Sequence, residues 1–188
     1  HDNHMAILMG AAEILAGMRE ELPGAVKFIF QPAEEGAPKG EEGGAKLMVA
    51  EGVLKNPDVD AVIGLHISQG GEVGTASYRS LGFMASAQRF DIKIQGKQTH
   101  GARPWAGVDP IVVGAQIVNA LQTIVSRQID ITQHPAVVTV GSFAAGVRNN
   151  IVPETATLTG TIRTFDAAVR RSIHEKIRSI AQQTATAM

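Results

Sequence analysis

The sequence predicts an α/β protein of two parts, and two observations carry this prediction. Up to about residue 67, helical periodicity and short apolar runs alternate in the order helix, strand, helix, strand. After about Gly74 the order becomes strand, helix, strand, strand, helix. We therefore predict one domain over residues 1–78 and a second over residues 79–188.

The first part is predicted to form a parallel sheet with flanking helices. Its first helix can be capped by Asp2 or Asn3 and ends at about Leu22, before Pro23 and Gly24. Ligands bind at the carboxyl ends of strands in open α/β sheets, so the residues after each strand are candidates for a site. The other predicted elements are strand 26–30, helix 45–51 and strand 60–67.

The second part is predicted from alternation and from helix-start signals. Asp109-Pro110 is typical of a helix start, with Asp as the cap and Pro at the first helical position. Asp166 caps the last helix. These elements are five of the six of a split βαβ, ferredoxin-like unit, with its last strand missing. The predicted strands are 88–95, 136–143 and 156–162.

Composition excludes several classes of function. The net charge of −1 gives no electrostatic case for binding nucleic acid or an anionic membrane surface. With no Cys, the chain has neither a disulfide framework nor a thiolate site. No apolar run approaches the roughly 18 residues of a membrane-spanning helix. No signal-peptide pattern opens the chain, and a cytoplasmic location is our default expectation.

Two adjacent carboxylates, Glu34 and Glu35, follow the first predicted strand, which Pro32 ends. Adjacent side chains diverge, so one can bind a metal ion while the other holds a proton. With His1 and His66, Glu35 would supply the ligands of a catalytic zinc-type site. Glu34 would then be the general base. The structural alternatives are a solvated acidic loop for the Glu pair and a packed core histidine for His66.

Two further clusters are candidates for contacts with a substrate. His100 lies on the loop after the first strand of the second part and could donate to a developing oxyanion. Asn149, Asn150 and Arg163 form the other cluster, in which the guanidinium suits a substrate carboxylate. The structural alternatives are a solvated His and a plain surface Arg. His4 is interpreted as a helix-start residue rather than a ligand.

Taken together, these motifs resemble the dinuclear metal-dependent amidohydrolases and carboxypeptidases, which include aminoacylases, hippurate hydrolases and indole-acetyl-amino-acid hydrolases. No single motif is specific, but the ordered set covers nearly the whole chain. The matching pieces are 1–4 (His-Asp-Asn-His), 31–36 (Gln-Pro-Ala-Glu-Glu-Gly), 64–66 (Gly-Leu-His), 96–104 (Gly-Lys-Gln-Thr-His-Gly-Ala-Arg-Pro), 109–110 (Asp-Pro) and 150–153 (Asn-Ile-Val-Pro).

The resemblance implies a zinc-peptidase-like catalytic domain that holds two divalent metal ions, which could be Zn, Mn, Co or Ni. Its metal ligands would be His1, Glu35 and His66, and its catalytic base would be Glu34.

The resemblance also implies that the second domain is a ferredoxin-like lid through which the protein forms a homodimer. His100 would reach the active site of the partner subunit and polarise the scissile carbonyl. Asn150 and Arg163 would lie near the substrate carboxylate.

Parts of the family pattern fall outside the 188 residues. The family's bridging Cys would lie just before His1, and its last metal-ligating His and the lid's closing strand would follow Met188. The chain also starts without an initiator Met and ends in a helical pattern. We therefore expect a fragment that alone binds metal weakly and has little activity.

The function expected from the sequence is hydrolysis of the amide bond in an N-acyl amino acid or a related small substrate. A dipeptidase or carboxypeptidase would use the same machinery. A non-catalytic dimerisation module without a complete metal centre is the alternative from another class. A generic α/β domain with accidental motifs is the third. The acyl group, the amino acid and the metal are not determined by the sequence.

Overall fold

The computed structural model describes residues 1–188, and the chain divides into two compact units, His1–Ala76 and Ser77–Met188. Together they make a mixed α/β protein. None of its helices combines the length and the apolar character needed to cross a membrane.

The first unit contains two helices, α1 (Asp2–Gly17) and α2 (Gly44–Ala50). Helix α1 ends earlier than predicted and is followed by a short 3-10 turn, Arg19–Glu21. The predicted cap is also wrong, because His1 occupies the N-cap position and its side chain makes no capping hydrogen bond. Asp2 instead lies in the first turn, where a carboxylate interacts favourably with the helix dipole.

The parallel sheet predicted for the first unit does not form. Residues 25–31 and 61–68 have neither helical nor strand hydrogen bonding, and the strands that do form all belong to the second unit. A strand exists only where a neighbouring backbone takes up its N–H and C=O groups. The strands predicted at 26–30 and 60–67 therefore do not form, because neither run has a partner strand.

In place of a sheet, two side chains link these segments to other parts of the first unit. The ammonium group of Lys27 donates to the carbonyl oxygens of Val53, Lys55 and Pro57, at 3.1, 2.6 and 3.3 Å. The N–H of Ile67 donates to Nε2 of His4 at 3.0 Å. Each contact joins residues that are distant in the sequence, so it takes over part of the role that a sheet ladder would have.

The second unit is built on a three-stranded antiparallel sheet. Its strands are β1 (Ser86–Gln95), β3 (Ala136–Ala145) and β5 (Thr155–Thr164), in the spatial order β1-β5-β3. A separate two-residue pair joins β2 (Thr99–His100) to β4 (Ile151–Val152). The predicted strands all form, each slightly longer than the alternation indicated.

Helices α3 (Pro110–Gln128) and α4 (Ala167–Ala187) pack against each other and against this sheet. Both predicted caps are confirmed. Asp109 accepts from the N–H groups of Ile111 and Val112, and Asp166 accepts from those of Ala168 and Val169. The least exposed core side chains come from both helices and from the central strand, and they are Ile117, Leu121, Ile124, Leu158, Ile162 and Ile173.

Candidate functional site

Glu34 and Glu35 are the two central residues of a tight turn in the first unit. The N–H of Gly36 donates to the carbonyl oxygen of Ala33 at 3.1 Å and closes this turn. Ala33 has φ +50° and Gly36 has φ +111°, so the backbone is left-handed at both ends. The turn leaves both carboxylates accessible, since their side chains are 57% and 79% exposed.

The imidazole of His1 lies between the two carboxylates. Its Nε2 is 3.5 Å from Oε2 of Glu34 and 3.4 Å from Oε1 of Glu35. Ligand atoms on all three residues lie within 4.8 Å of one another. Metal–ligand bonds of about 2.1 Å in a tetrahedron place neighbouring ligand atoms about 3.4 Å apart. The three donors therefore fit a divalent metal ion in both chemistry and spacing.

His66 lies next to this cluster but outside it. Its ring meets the ring of His4 edge-on, with 4.6 Å between centroids, and the His4 ring is 6.0 Å from that of His1. Nδ1 of His66 is 2.6 Å from the carbonyl oxygen of Ile67. A carbonyl can only accept, so this nitrogen carries the proton and leaves Nε2 of a neutral ring with a free lone pair. Metal-ligating histidines commonly donate their other ring N–H to a carbonyl in this way.

His4 has a role that the sequence interpretation missed. It lies inside α1, and its Nε2 accepts the N–H of Ile67, the residue after His66. His4 thus fixes the backbone next to a candidate ligand. The signal was present in the spacing, because His1 and His4 are three residues apart and share one face of the helix.

In the second unit, the short strand pair places His100 opposite Ile151. The N–H of Gly101 donates to the carbonyl oxygen of Asn150 at 2.8 Å. A Cβ on Gly101 would lie 3.2 Å from that carbonyl group, so a glycine allows this close approach. His100 and Asn150 are therefore brought to the same loop cluster, although the sequence analysis placed them in two separate clusters.

The side chain of His100 is held by its own loop. The N–H of Ala102 donates to Nδ1 of His100 at 3.0 Å. Because a backbone N–H can only donate, Nδ1 is the acceptor, and the proton of a neutral ring sits on Nε2. His100 is exposed, so this Nε2–H is a donor available to a bound group.

Arg163 is not brought together with Asn150. Along β5 it pairs with Ala87 and Val137, near the end of the strand opposite to Thr155. The eight residue-to-residue steps from 155 to 163 span roughly 27 Å at about 3.4 Å each. In its own surroundings Arg163 lines a shallow groove with Val137 and Phe165. The sequence analysis grouped Asn150 and Arg163 by the chemistry of their side chains. In the structure Arg163 lies near the far end of the 10-residue strand β5.

Comparison with known proteins gives matches over nearly the whole chain. The sequence profile of peptidase family M20/M25/M40 matches residues 1–186. The N-acyl-L-amino acid amidohydrolase of Geobacillus stearothermophilus is 41% identical over 182 residues, which are 97% of this chain and 47% of that protein. Thermostable carboxypeptidase 2 of Saccharolobus solfataricus is 39% identical over 180 residues, 96% of this chain and 44% of that protein.

Among solved structures, a dinuclear metal binding peptidase of the M20 family from Bacillus subtilis superposes with a TM-score of 0.73 at 35% identity. The match covers 100% of this chain and 44% of that one. The chain thus spans under half the length of each of these relatives.

Proposed function

Because the chain belongs to peptidase family M20/M25/M40, we propose that it is the central part of a metal-dependent amidohydrolase acting on N-acyl amino acids or related small amides. The observation that carries the proposal is the position of the His1 imidazole, 3.4–3.5 Å from an oxygen of each of two adjacent carboxylates. A relative with 41% identity is an N-acyl-L-amino acid amidohydrolase, which supports the same reaction class.

In this proposal His1, Glu35 and His66 hold divalent metal, with two ions in the intact enzyme, as in the dinuclear relative. Bound there, a divalent ion would act as a Lewis acid and lower the pKa of water towards about 7. The donor set of imidazole and carboxylate accepts Zn, Mn, Co or Ni. The free Nε2 of His66 supports its assignment as a ligand, although it lies beside the cluster of the other two.

Glu34 is the proposed general base. It shares the tight turn with Glu35, so a water molecule beside the metal ligands is within its reach. Glu34 takes a proton from this water as the oxygen attacks the amide carbonyl. It then returns the proton to the departing amine nitrogen, which balances the hydrolysis.

His100 is proposed to stabilise the oxyanion in the active site of a partner subunit. Its Nε2–H points away from the bond that Nδ1 makes with Ala102, which gives it a free donor. Asn150, on the adjacent backbone, is proposed to contact the substrate carboxylate. Arg163 lies too far along β5 to join that contact within the same chain.

The second unit is proposed to be a ferredoxin-like lid that forms a homodimer. Its sheet order β1-β5-β3 leaves one edge of β1 unpaired. A groove of about 440 Å³ runs beside that edge, between β1 and α4, and apolar residues such as Phe90 and Ile177 line it. A closing strand placed there would complete the six-element unit. Size-exclusion chromatography with light scattering tests the dimer.

The proposed reaction is tested by hydrolysis of a panel of N-acyl amino acids and dipeptides by the native protein that contains these residues. N-acyl amino acids are expected to be cleaved, and Glu34→Gln is expected to lower the rate about 10²–10⁴-fold, the usual contribution of a general base. A carboxypeptidase, favoured by the second relative, would instead prefer the dipeptides. Parental rates in Glu34→Gln would refute the assignment of the base.

A further inference from the structure

Two glycines, Gly43 and Gly44, lie directly against the turn that carries the two carboxylates. A Cβ on Gly43 would lie 3.0 Å from Cβ of Ala33, the first residue of the turn, and 3.3 Å from Cβ of Ala37, the residue after it. A Cβ on Gly44 would lie 3.3 Å from the carbonyl oxygen of Ala33. That oxygen is the one that accepts the closing hydrogen bond of the turn.

The backbone conformations show that glycine is favoured at these two positions for different reasons. Gly44 has φ +73°, which a residue with a side chain rarely adopts, and it is buried as the first residue of α2. Gly43 is extended, with φ −178° and ψ −171°, a conformation open to any residue. Only the contact with the turn therefore disfavours a side chain at Gly43, since Cβ of Ala33 would have to move by a few tenths of an ångström to admit it.

Ala33 is itself in an uncommon conformation, with φ +50°. Such a residue persists where its surroundings hold it in place. The surroundings of Ala33 are the closing hydrogen bond on one side and the backbone of Gly43 and Gly44 on the other.

We propose that Gly43 and Gly44 are positioning residues for the Glu34–Glu35 turn. Their bare backbone lets the start of α2 approach Ala33 and so fixes the direction in which the turn presents its carboxylates to His1. The inference rests on the proposed function for its consequence in metal binding. It assigns a role to two of the glycines in residues 36–44, a segment rich in glycine.

Gly43→Ala is the sharpest perturbation, because it introduces one methyl group without backbone strain. The methyl group displaces Ala33 and with it both carboxylates. Changes to residues that orient metal ligands typically weaken metal binding about 10–100-fold, and we expect about tenfold here. Ala33→Gly removes the nearer of the two carbon atoms that the new methyl group meets, and glycine adopts the φ of Ala33 without strain. The double variant should therefore bind metal about as tightly as Ala33→Gly does.

The experiment measures the dissociation constant for Zn²⁺ by isothermal titration on the native protein that contains these residues and on its Gly43→Ala, Ala33→Gly and double variants. Gly24→Ala is the matched control, since Gly24 lies in the same unit, has no positive φ, and nothing lies within 4 Å of an added Cβ. Gly24→Ala is expected to bind like the parent, and the double variant to bind within about twofold of Ala33→Gly. The midpoint of thermal unfolding should stay close to the parental value in every variant.

A second measurement does not depend on metal. In ¹H–¹⁵N spectra of the metal-free chain, Gly43→Ala is expected to shift the amides of Glu34 and Glu35. It should also speed hydrogen exchange at Gly36, whose N–H closes the turn. The double variant should reverse both effects, which a general loss of stability would not do.

The outcomes distinguish this inference from the proposed function. Spectral rescue in a chain that binds no Zn²⁺ would support the positioning role and overturn the metal site. Zn²⁺ binding that is equal in the parent and in Gly43→Ala, with unchanged turn amides, would overturn the positioning role alone. An equal effect of Gly24→Ala would also overturn it, since nothing lies near the Cβ added at that position.

Discussion

The hydrogen bonds of the Lys27 side chain are predicted to be the main stabilising contact within the first unit. Its ammonium group donates to three carbonyl oxygens, those of Val53, Lys55 and Pro57, and so joins the chain before the Glu34–Glu35 turn to the segment after α2. Lys27→Met keeps most of the aliphatic stem and removes all three donors. The carbonyl groups then return to water or stay unpaired.

The magnitude follows from the exposure of the three bonds. A hydrogen bond to a charged group contributes about 1.5–3 kcal/mol when it is shielded, and less in water. Only the bond to Val53 is partly buried, and those to Lys55 and Pro57 are exposed. We therefore expect Lys27→Met to lower the free energy of unfolding of the first unit by about 2 kcal/mol in total.

Hydrogen exchange resolved by residue, read by mass spectrometry, is the suitable assay because it reports on each unit separately. Exchange should quicken in residues 25–60 and stay unchanged in β1, β3 and β5. Lys55→Met is the matched control: its ion pair with Asp58, at 3.2 Å, is exposed on both sides and should contribute about 0–1 kcal/mol. Equal exchange in Lys27→Met and Lys55→Met would refute the claim that the hydrogen bonds of Lys27 stabilise the first unit.

Three further predictions concern the second unit. Asp109→Ala should destabilise it by about 1 kcal/mol through loss of the α3 cap, while Asp109→Asn should cost less, as chemical denaturation would show. Hydrogen bonding from the N–H of Val169 holds the pKa of Asp166 below its ordinary value of 3.8. The stability that this carboxylate adds is therefore present above pH 3.8 and lost as the pH falls through the folded pKa. The parent should be more stable than Asp166→Asn above pH 3.8, and acid unfolding curves should show this difference disappear as the pH falls. ¹⁵N shifts of His100 should show the proton on Nε2 near pH 8, and Ala102→Pro, which removes the donor to Nδ1, should mix the tautomers.

The second unit was largely predictable because its signals are local. Asp109-Pro110 and Asp166 mark helix starts through contacts within three residues, and the structure contains both contacts. Alternation marks strands whose neighbours lie in the same unit. The ladder therefore formed where the pattern indicated it.

The first unit was less predictable, because an apolar run suggests a strand but does not show which other strand would pair with it. The runs at 26–30 and 60–67 form no strand, because neither pairs with another segment. Residue types nominated His1, Glu34 and Glu35, and the structure brings them together through a turn that no pattern specified.

Contacts between residues distant in the sequence explain what was missed at the site. His4 binds Ile67 across the first unit, and Gly43 contacts Ala33 across a loop. Neither contact follows from a local motif. For Arg163 the sequence analysis instead expected a proximity that the structure does not contain. Its side chain suits a carboxylate, but it lies at the far end of its strand from Asn150.

The central claim is that His1, Glu35 and His66 hold divalent metal, and metal content tests it most directly. The native protein that contains these residues would be dialysed against Zn²⁺ and analysed for its metal content alongside its Glu35→Ala and His66→Ala variants and the exposed control Glu72→Ala. We predict that the parent and Glu72→Ala retain Zn²⁺ and that both ligand variants lose it. A parent without Zn²⁺, or ligand variants that keep it, would contradict the claim and leave His1 in a simple ion pair with the two carboxylates.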